Sequence, residues 1–281
     1  MQLEQQQRQH LQQLLQLGEE ENLFRTEVNS LKAELDRLGT EKADFARQGP
    51  VSRERINNIR RTTSQHMSLS WQTIPHVTVF DKADITELEE LRQRFKGKAE
   101  AAGGKLTITA MMLKLVASAL RAFPKLNASL DTQNNQVVTK HYYHVGVAAD
   151  TDRGLVVPVV RDVDRKNMIQ LAAELVSLAR KARDGKLTPD EMQGGTFTIT
   201  NLGGLGIGFF TPIVNFPQVA ILGLGRAVME PVWLEDEFQP RLMLPLSLSF
   251  DHRLVDGADG ARFLRWIVDA IEQPLLIALE G

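Results

Sequence analysis

The residues with the clearest chemical use lie near the C-terminus, in Leu246-Ser247-Leu248-Ser249-Phe250-Asp251-His252-Arg253-Leu254-Val255-Asp256-Gly257. An imidazole titrates near neutrality and can take a proton at working pH. A carboxylate four residues on, at Asp256, can order charge and orientation around it. The alternating Leu and Ser are the period-two pattern of a half-buried strand, and the apolar-periodic run from Ala261 to Ile271 predicts a helix. His252 is therefore expected at a strand end, just ahead of a turn, with a rigid helix behind it. A bare His-x-x-x-Asp is common in scaffolds, so this spacing alone does not separate structure from catalysis.

The longer run does. Asp251 to Gly257, preceded by Leu-Ser-Leu-Ser-Phe, resembles the active-site signature of the dihydrolipoamide acyltransferases, the E2 components of 2-oxo acid dehydrogenase complexes. Its His-x-x-x-Asp-Gly core is similar to that of chloramphenicol acetyltransferase, which shares the fold. Other stretches resemble the family in the same order: Asn58-Ile59-Arg60-Arg61, Pro75-His76, the Asp150-Thr151 to Gly154-Leu155 turn with Pro158, and Thr198-Ile199-Thr200-Asn201-Leu202-Gly203.

The resemblance covers residues 50–281 and carries expectations. It implies an α/β fold with a mixed sheet (α+β), a two-layer sandwich of the chloramphenicol acetyltransferase type, built as trimers with the site in a channel between subunits. His252 would be the general base that removes the thiol proton from coenzyme A or dihydrolipoamide. The resulting oxyanion needs a preplaced donor, worth about 3 kcal/mol, and the family position for that hydroxyl is Thr200, from the adjacent subunit. Without the resemblance, Thr200 reads as a strand threonine paired across the sheet. Asp256 would order the loop and the arginine beside His252. Coenzyme A, as a substrate, would approach Arg92, Thr107 and Asp150, with Gly204, Leu205 and Gly225 lining the channel. Arg92 fits a phosphate by charge, though on sequence alone it is an exposed helix arginine. Asp256 and Phe210–Asn215 look most like the pyruvate members, so acetyl is the expected acyl group, with branched-chain or succinyl transfer as alternatives.

These side chains need elements to hold them. Residues 1–42 are rich in Gln and Leu, with Leu14, Leu17, Phe24, Val28, Leu31, Leu35 and Leu38 spaced by threes and fours; this predicts a helical coiled-coil segment. Residues 43–50 read as a linker, and 51–281 as the acyltransferase catalytic domain. Within it, strands are expected at Ile74–Phe80, around Ala128 and Val137, at Tyr142–Ala149, to Val160, to Asn201, at Phe209–Asn215, Val219–Gly225, Pro231–Trp233 and Arg241–Ser249. Helices are expected at Asp84–Ala102, Leu106–Ala122 and Asn167–Arg183. Arg53, Arg55, Arg60 and Arg61 form either a solvated face or, through one of them, a partner for Asp256 or a neighbouring acid. Asp81-Lys82-Ala83 has the form of a lipoyl-carrying turn, but the helix signal after it excludes the β-rich flanks such a turn needs. The lipoyl group is accordingly expected from another domain or chain. The apolar tail from Pro274 to Leu279 is costly in water unless it docks.

Composition excludes several classes. The chain has 281 residues, 43% of them hydrophobic, enough for one large core. Its net charge of −2 gives no footprint for nucleic acid. There is no cysteine, which excludes disulfides, thiolate metal sites and a cysteine nucleophile. His141 and His144 lack a third ligand in range, so no metal is expected. Gly203-Gly204-Leu205-Gly206 lacks the Lys-Ser/Thr of a phosphate loop. No apolar run can span a bilayer and the N-terminus is not signal-like, so the expected compartment is bacterial cytoplasm or, second, mitochondrial matrix. The expected partners are two further copies in a homotrimer, a cage of trimers, lipoyl domains and the E1 and E3 components. A purely structural shell that recruits through its coiled coil, and acetylation of a small hydroxylated molecule, are the competing functions.

Overall fold

The computed structural model describes residues 24, 26–31 and 45–274. The chain forms two compact units, residues 1–55 and 56–281. In the first, residues 26–31 are helical and Phe45–Arg47 make one 3₁₀ turn. Phe24 and Leu31 are exposed there. The remaining seam positions, Leu14, Leu17, Leu35 and Leu38, lie outside the described residues, as does the tail beyond Pro274.

The second unit is built on a seven-stranded sheet in the order β1-β9-β7-β6-β4-β5, with β8 also paired to β9. The strands are β1 (His76–Asp84), β4 (Val145–Val147), β5 (Val159–Val160), β6 (Phe197–Asn201), β7 (Ala220–Leu224), β8 (Val228–Leu234) and β9 (Glu237–Asp251). β4, β6 and β7 run parallel and the other pairings are antiparallel. A separate hairpin joins β2 (Ala128–Asp131) and β3 (Gln136–Thr139). The helices are α1 (Asn58–Thr73), α2 (Thr86–Ala101), α3 (Ile108–Ala122), α4 (Met168–Asp184) and α5 (Gly257–Glu272). Their starts follow from local chemistry. Asn57 caps α1 by accepting from the Arg60 N–H, Thr107 caps α3, and Asn167 with Gln170 closes a capping box on α4.

One face of the sheet carries the main core. Phe197, Ile199, Leu222, Leu246, Leu248 and Phe250 alternate onto it and pack with Met112, Leu120, Leu171, Phe263 and Ile267 of the helices, all fully buried. The other face is lined by Thr78, Thr198, Thr200, Gly223, Ser247 and Ser249, which share cross-strand rows. A smaller cluster of Ile74, Val214, Ile221 and Phe216 lies there.

Several expectations need correction. Phe209–Asn215 is not a strand. Its backbone N–H groups go to side chains, Phe210 to Ser247 and Val214 to His76, so it crosses the second face as an extended strap. The strand expected over Tyr142–Ala149 shortens to Val145–Val147, because the carbonyls of Tyr142 and Tyr143 are drawn off by Asn127 and Val163. β1 runs on to Asp84, taking in Lys82, whose ammonium meets Glu230 at 2.7 Å. α5 begins at Gly257, four residues before its apolar periodicity; Gly260 lets this first turn close on the Phe250 ring, where a Cβ would clash.

Candidate active site

His252 follows the last residue of β9 directly. Its N–H is held by the Pro75 carbonyl at 3.1 Å, so the turn is tied to the residue just ahead of β1. The imidazole is exposed and makes no side-chain hydrogen bond among the described residues; its ring lies 6.1 Å from that of Phe250. Asp256 is the residue before α5, is exposed, and makes no capping bond.

The arginine beside His252 is held by Asp251, not by Asp256. Asp251 is 2% exposed and accepts from the Arg253 N–H, Nε and Nη2, the last at 2.6 Å. A buried carboxylate requires such saturation, and it raises the Arg253 pKa above its ordinary value, chiefly through this hydrogen bond. The clamp spans two residues of a turn, so neither helical nor strand periodicity reveals it; an acid at a strand end with an arginine two residues on was the available signal. Neither Arg60 nor Arg61 forms an ion pair with Asp256 within the chain, and Arg61 bonds to Asn58 instead.

Thr200 is half-buried on β6 and pairs with Gly223, which pairs with Ser247. His252 lies five residues farther along β9 and two strands over. At about 3.3 Å per residue and about 4.8 Å per strand, the two are roughly 20 Å apart within one chain. The chain alone does not bring base and hydroxyl together.

The other predicted residues gather at the C-terminal ends of the parallel strands, where open α/β sheets bind ligands. Asn201, at the end of β6, accepts the Gly203 N–H and donates to Thr109 in the first turn of α3. This joins the Gly203–Leu205 turn to the cap at Thr107, whose Oγ1 accepts from the Ala110 N–H at 3.1 Å. Gly204 faces open space, Leu205 is 73% exposed, and Gly225 lies against the Gly208 carbonyl. Asp150 is exposed beyond the Ala149–Val156 bridge.

Arg92 sits close to Thr107 but is committed. Its Nε and Nη2 take both carboxylate oxygens of Glu89 at 2.7 Å, and Nη1 donates to the Leu106 carbonyl. This pairing holds the Glu89 carboxyl below its usual range. Within the chain its charge is shared with the neighbour three residues back. His144 accepts the Asp162 N–H through Nδ1, and no three His, Asp or Glu side chains converge among the described residues. An apolar cavity of about 640 Å³ lies under α1, lined in part by Ile59, Met67, Leu155, Val157, Leu187 and Gln218. None of the predicted site residues lines it. No helix among the described residues is long and apolar enough to cross a membrane.

The dihydrolipoyllysine-residue acetyltransferase component of the pyruvate dehydrogenase complex of Cupriavidus necator is 49% identical over 230 residues, covering 82% of this chain and 41% of that protein. The corresponding component of Staphylococcus aureus is 45% identical over 232 residues, covering 83% and 54%. The chain thus spans about half or less of the length of these relatives. Among solved structures, the Azotobacter vinelandii dihydrolipoamide acetyltransferase (E2p) superposes with a TM-score of 0.83 at 47% identity, covering 85% of this chain and 98% of that one. The cubic core of the pyruvate dehydrogenase multienzyme complex gives 0.83 at 46%, with the same coverage. The family model of the 2-oxoacid dehydrogenases acyltransferase (catalytic domain) matches residues 48–279, and the chain belongs to that family.

Proposed function

We propose that this chain transfers acetyl between S-acetyl-dihydrolipoyl groups and coenzyme A, with His252 as base and Thr200 of a second copy as oxyanion donor. One observation carries the assignment. The Azotobacter vinelandii enzyme was studied for the role of a serine, a histidine and an asparagine in its mechanism; the serine stands 52 positions before the histidine and the asparagine four after it. Here Thr200 stands 52 before His252 and Asp256 four after. The hydroxyl is kept, while the amide becomes a carboxylate.

In the forward direction the His252 imidazole takes the proton from the coenzyme A thiol. The thiolate attacks the thioester carbonyl, and the Thr200 hydroxyl donates to the oxyanion. Collapse breaks the bond to the dihydrolipoyl sulfur, which leaves as a thiolate and regains the proton from the imidazolium. Coenzyme A enters by the C-terminal ends of β4, β6 and β7, near Thr107, Asp150, Gly204, Leu205 and Gly225. Another domain or chain brings the lipoyl arm.

The roughly 20 Å between Thr200 and His252 supports a site shared between copies, hence a homotrimer and a larger core of trimers. The exposed Met229, Trp233 and Phe238 of the β8–β9 hairpin supply apolar surface for such contacts. In this reading residues 51–281 are the catalytic domain, 43–50 the linker and 1–42 a coiled coil that recruits partners, with E1 and E3 components among them. The bacterial relatives favour the cytoplasm. The test is acetyl transfer from acetyl-CoA to free dihydrolipoamide: His252→Ala lowers kcat at least 10²-fold, and full activity in that variant defeats the assignment.

A further inference from the structure

The Pro75-His76 pair takes no part in the chemistry above, yet it joins the two half-sites that one chain would contribute. Pro75 holds the His252 N–H through its carbonyl. His76, the first residue of β1, holds the strap that crosses the Thr200 face. Its Nδ1 lies 2.8 Å from the Ile74 carbonyl, which can only accept, so Nδ1 carries the proton. Its Nε2 receives the Val214 N–H at 3.0 Å. Both contacts are satisfied by one neutral tautomer alone. A second proton on Nε2 would set N–H against N–H and leave a buried backbone donor unpaired.

The strap matters because of what it covers. The Phe210 ring packs on Gly223, the cross-strand partner of Thr200, where a Cβ would come within 2.7 Å of it. The Phe210 N–H reaches Ser247 in the same row. Val214 is fully buried against Ile74 and Ile221. No residue of 209–218 is charged. The charged and titratable groups around His76 are few. From β9 its cross-strand partner is Asp251, saturated by Arg253, with His252 next in line. From α1 come Trp71, stacked on the imidazole at 5.5 Å, and His66, bonded to Asn215 of the strap.

We propose that His76 is a positioning residue: only as a neutral imidazole does it anchor the 209–218 strap at Val214 over the Thr200 row, and its protonation releases that anchor. The hold is therefore present while the ring is neutral and lost once Nε2 is protonated. Its effect on turnover rests on the acyltransferase reading; its effect on the strap does not. The test compares the full chain with His76→Gln, whose amide oxygen can still accept the Val214 N–H but does not titrate, and with His76→Ala. Hydrogen exchange of the 209–218 amides, corrected for intrinsic rates, is read between pH 5 and 8. Wild type loses protection at least tenfold on acidification, His76→Gln does not, and His76→Ala lacks it throughout. In parallel, kcat/KM for acetyl transfer to dihydrolipoamide falls on acidification by a larger factor in wild type than in His76→Gln. Equal acid loss of protection in wild type and His76→Gln overturns the proposal, whether or not His76→Ala folds. The expected exchange pattern in a chain without transferase activity upholds the role of His76 and refutes the acyltransferase reading instead.

Discussion

Along β9, Leu244, Leu246, Leu248 and Phe250 turn to the helices, while Ser247, Ser249 and Asp251 turn to the other side. All are buried, but they are held differently. The helix side gains by area removed from water, at about 25 cal/mol per Å², and tolerates any set of side chains that fills the volume. The hydroxyl side gains little by area. Each of its polar atoms needs a named partner: Ser249 has Thr78 at 2.8 Å, Ser247 the Phe210 N–H, Thr198 the Gln218 side chain at 2.7 Å. Bulk specifies one face and individual contacts the other, and the second kind is what a reacting centre can use.

This contrast can be broken, from the largest effect down. Phe250→Ala should cost about 3–5 kcal/mol in denaturant unfolding; a loss under 1 kcal/mol would mean that the helix side is not held by packing. Thr200→Val should leave stability within about 1 kcal/mol yet lower kcat by about 10²–10³. Equal losses in melting and turnover would erase the distinction between the faces. Lys140 tests the cover of the hydroxyl side, since it donates to Ser129, which donates to the Pro217 carbonyl at the end of the strap. Burial pushes its ammonium down to about 8. The unfolded chain then binds more protons between pH 8 and the usual lysine range, so stability rises with pH across that window, by at most about 3 kcal/mol. Unfolding free energies of wild type and Lys140→Met at pH 7 and 10 should show the rise in wild type only. Ser249→Ala, which strands one hydroxyl of a pair, should cost about 1 kcal/mol and leave turnover within twofold.

The helix side was readable from sequence because burial there follows period. Leu246 to Phe250 alternate, and α3, α4 and the later part of α5 announce themselves by apolar spacing; the caps at Thr107 and Asn167 emerge only in the structure. The hydroxyl side was readable only in part. His252 and Thr200 came from a resemblance, and no period marks either. Phe-Thr-Pro-Ile-Val-Asn has strand composition, yet its partners are side chains up to 149 positions away, which no local pattern encodes. The pairing of Arg92 with Glu89, three residues back on the same helix, is a contact that charge alone does not reveal.

β9 runs 15 residues from the β8 hairpin to the His252 turn and lends alternate side chains to both faces. Such a strand accepts substitution far more readily than a change of length. Deleting one residue between Leu244 and Phe250 would carry leucines into the hydroxyl row and serines into the oily layer at one stroke. In a lineage of this chain, the stretch should therefore vary letter by letter while its frame stays locked.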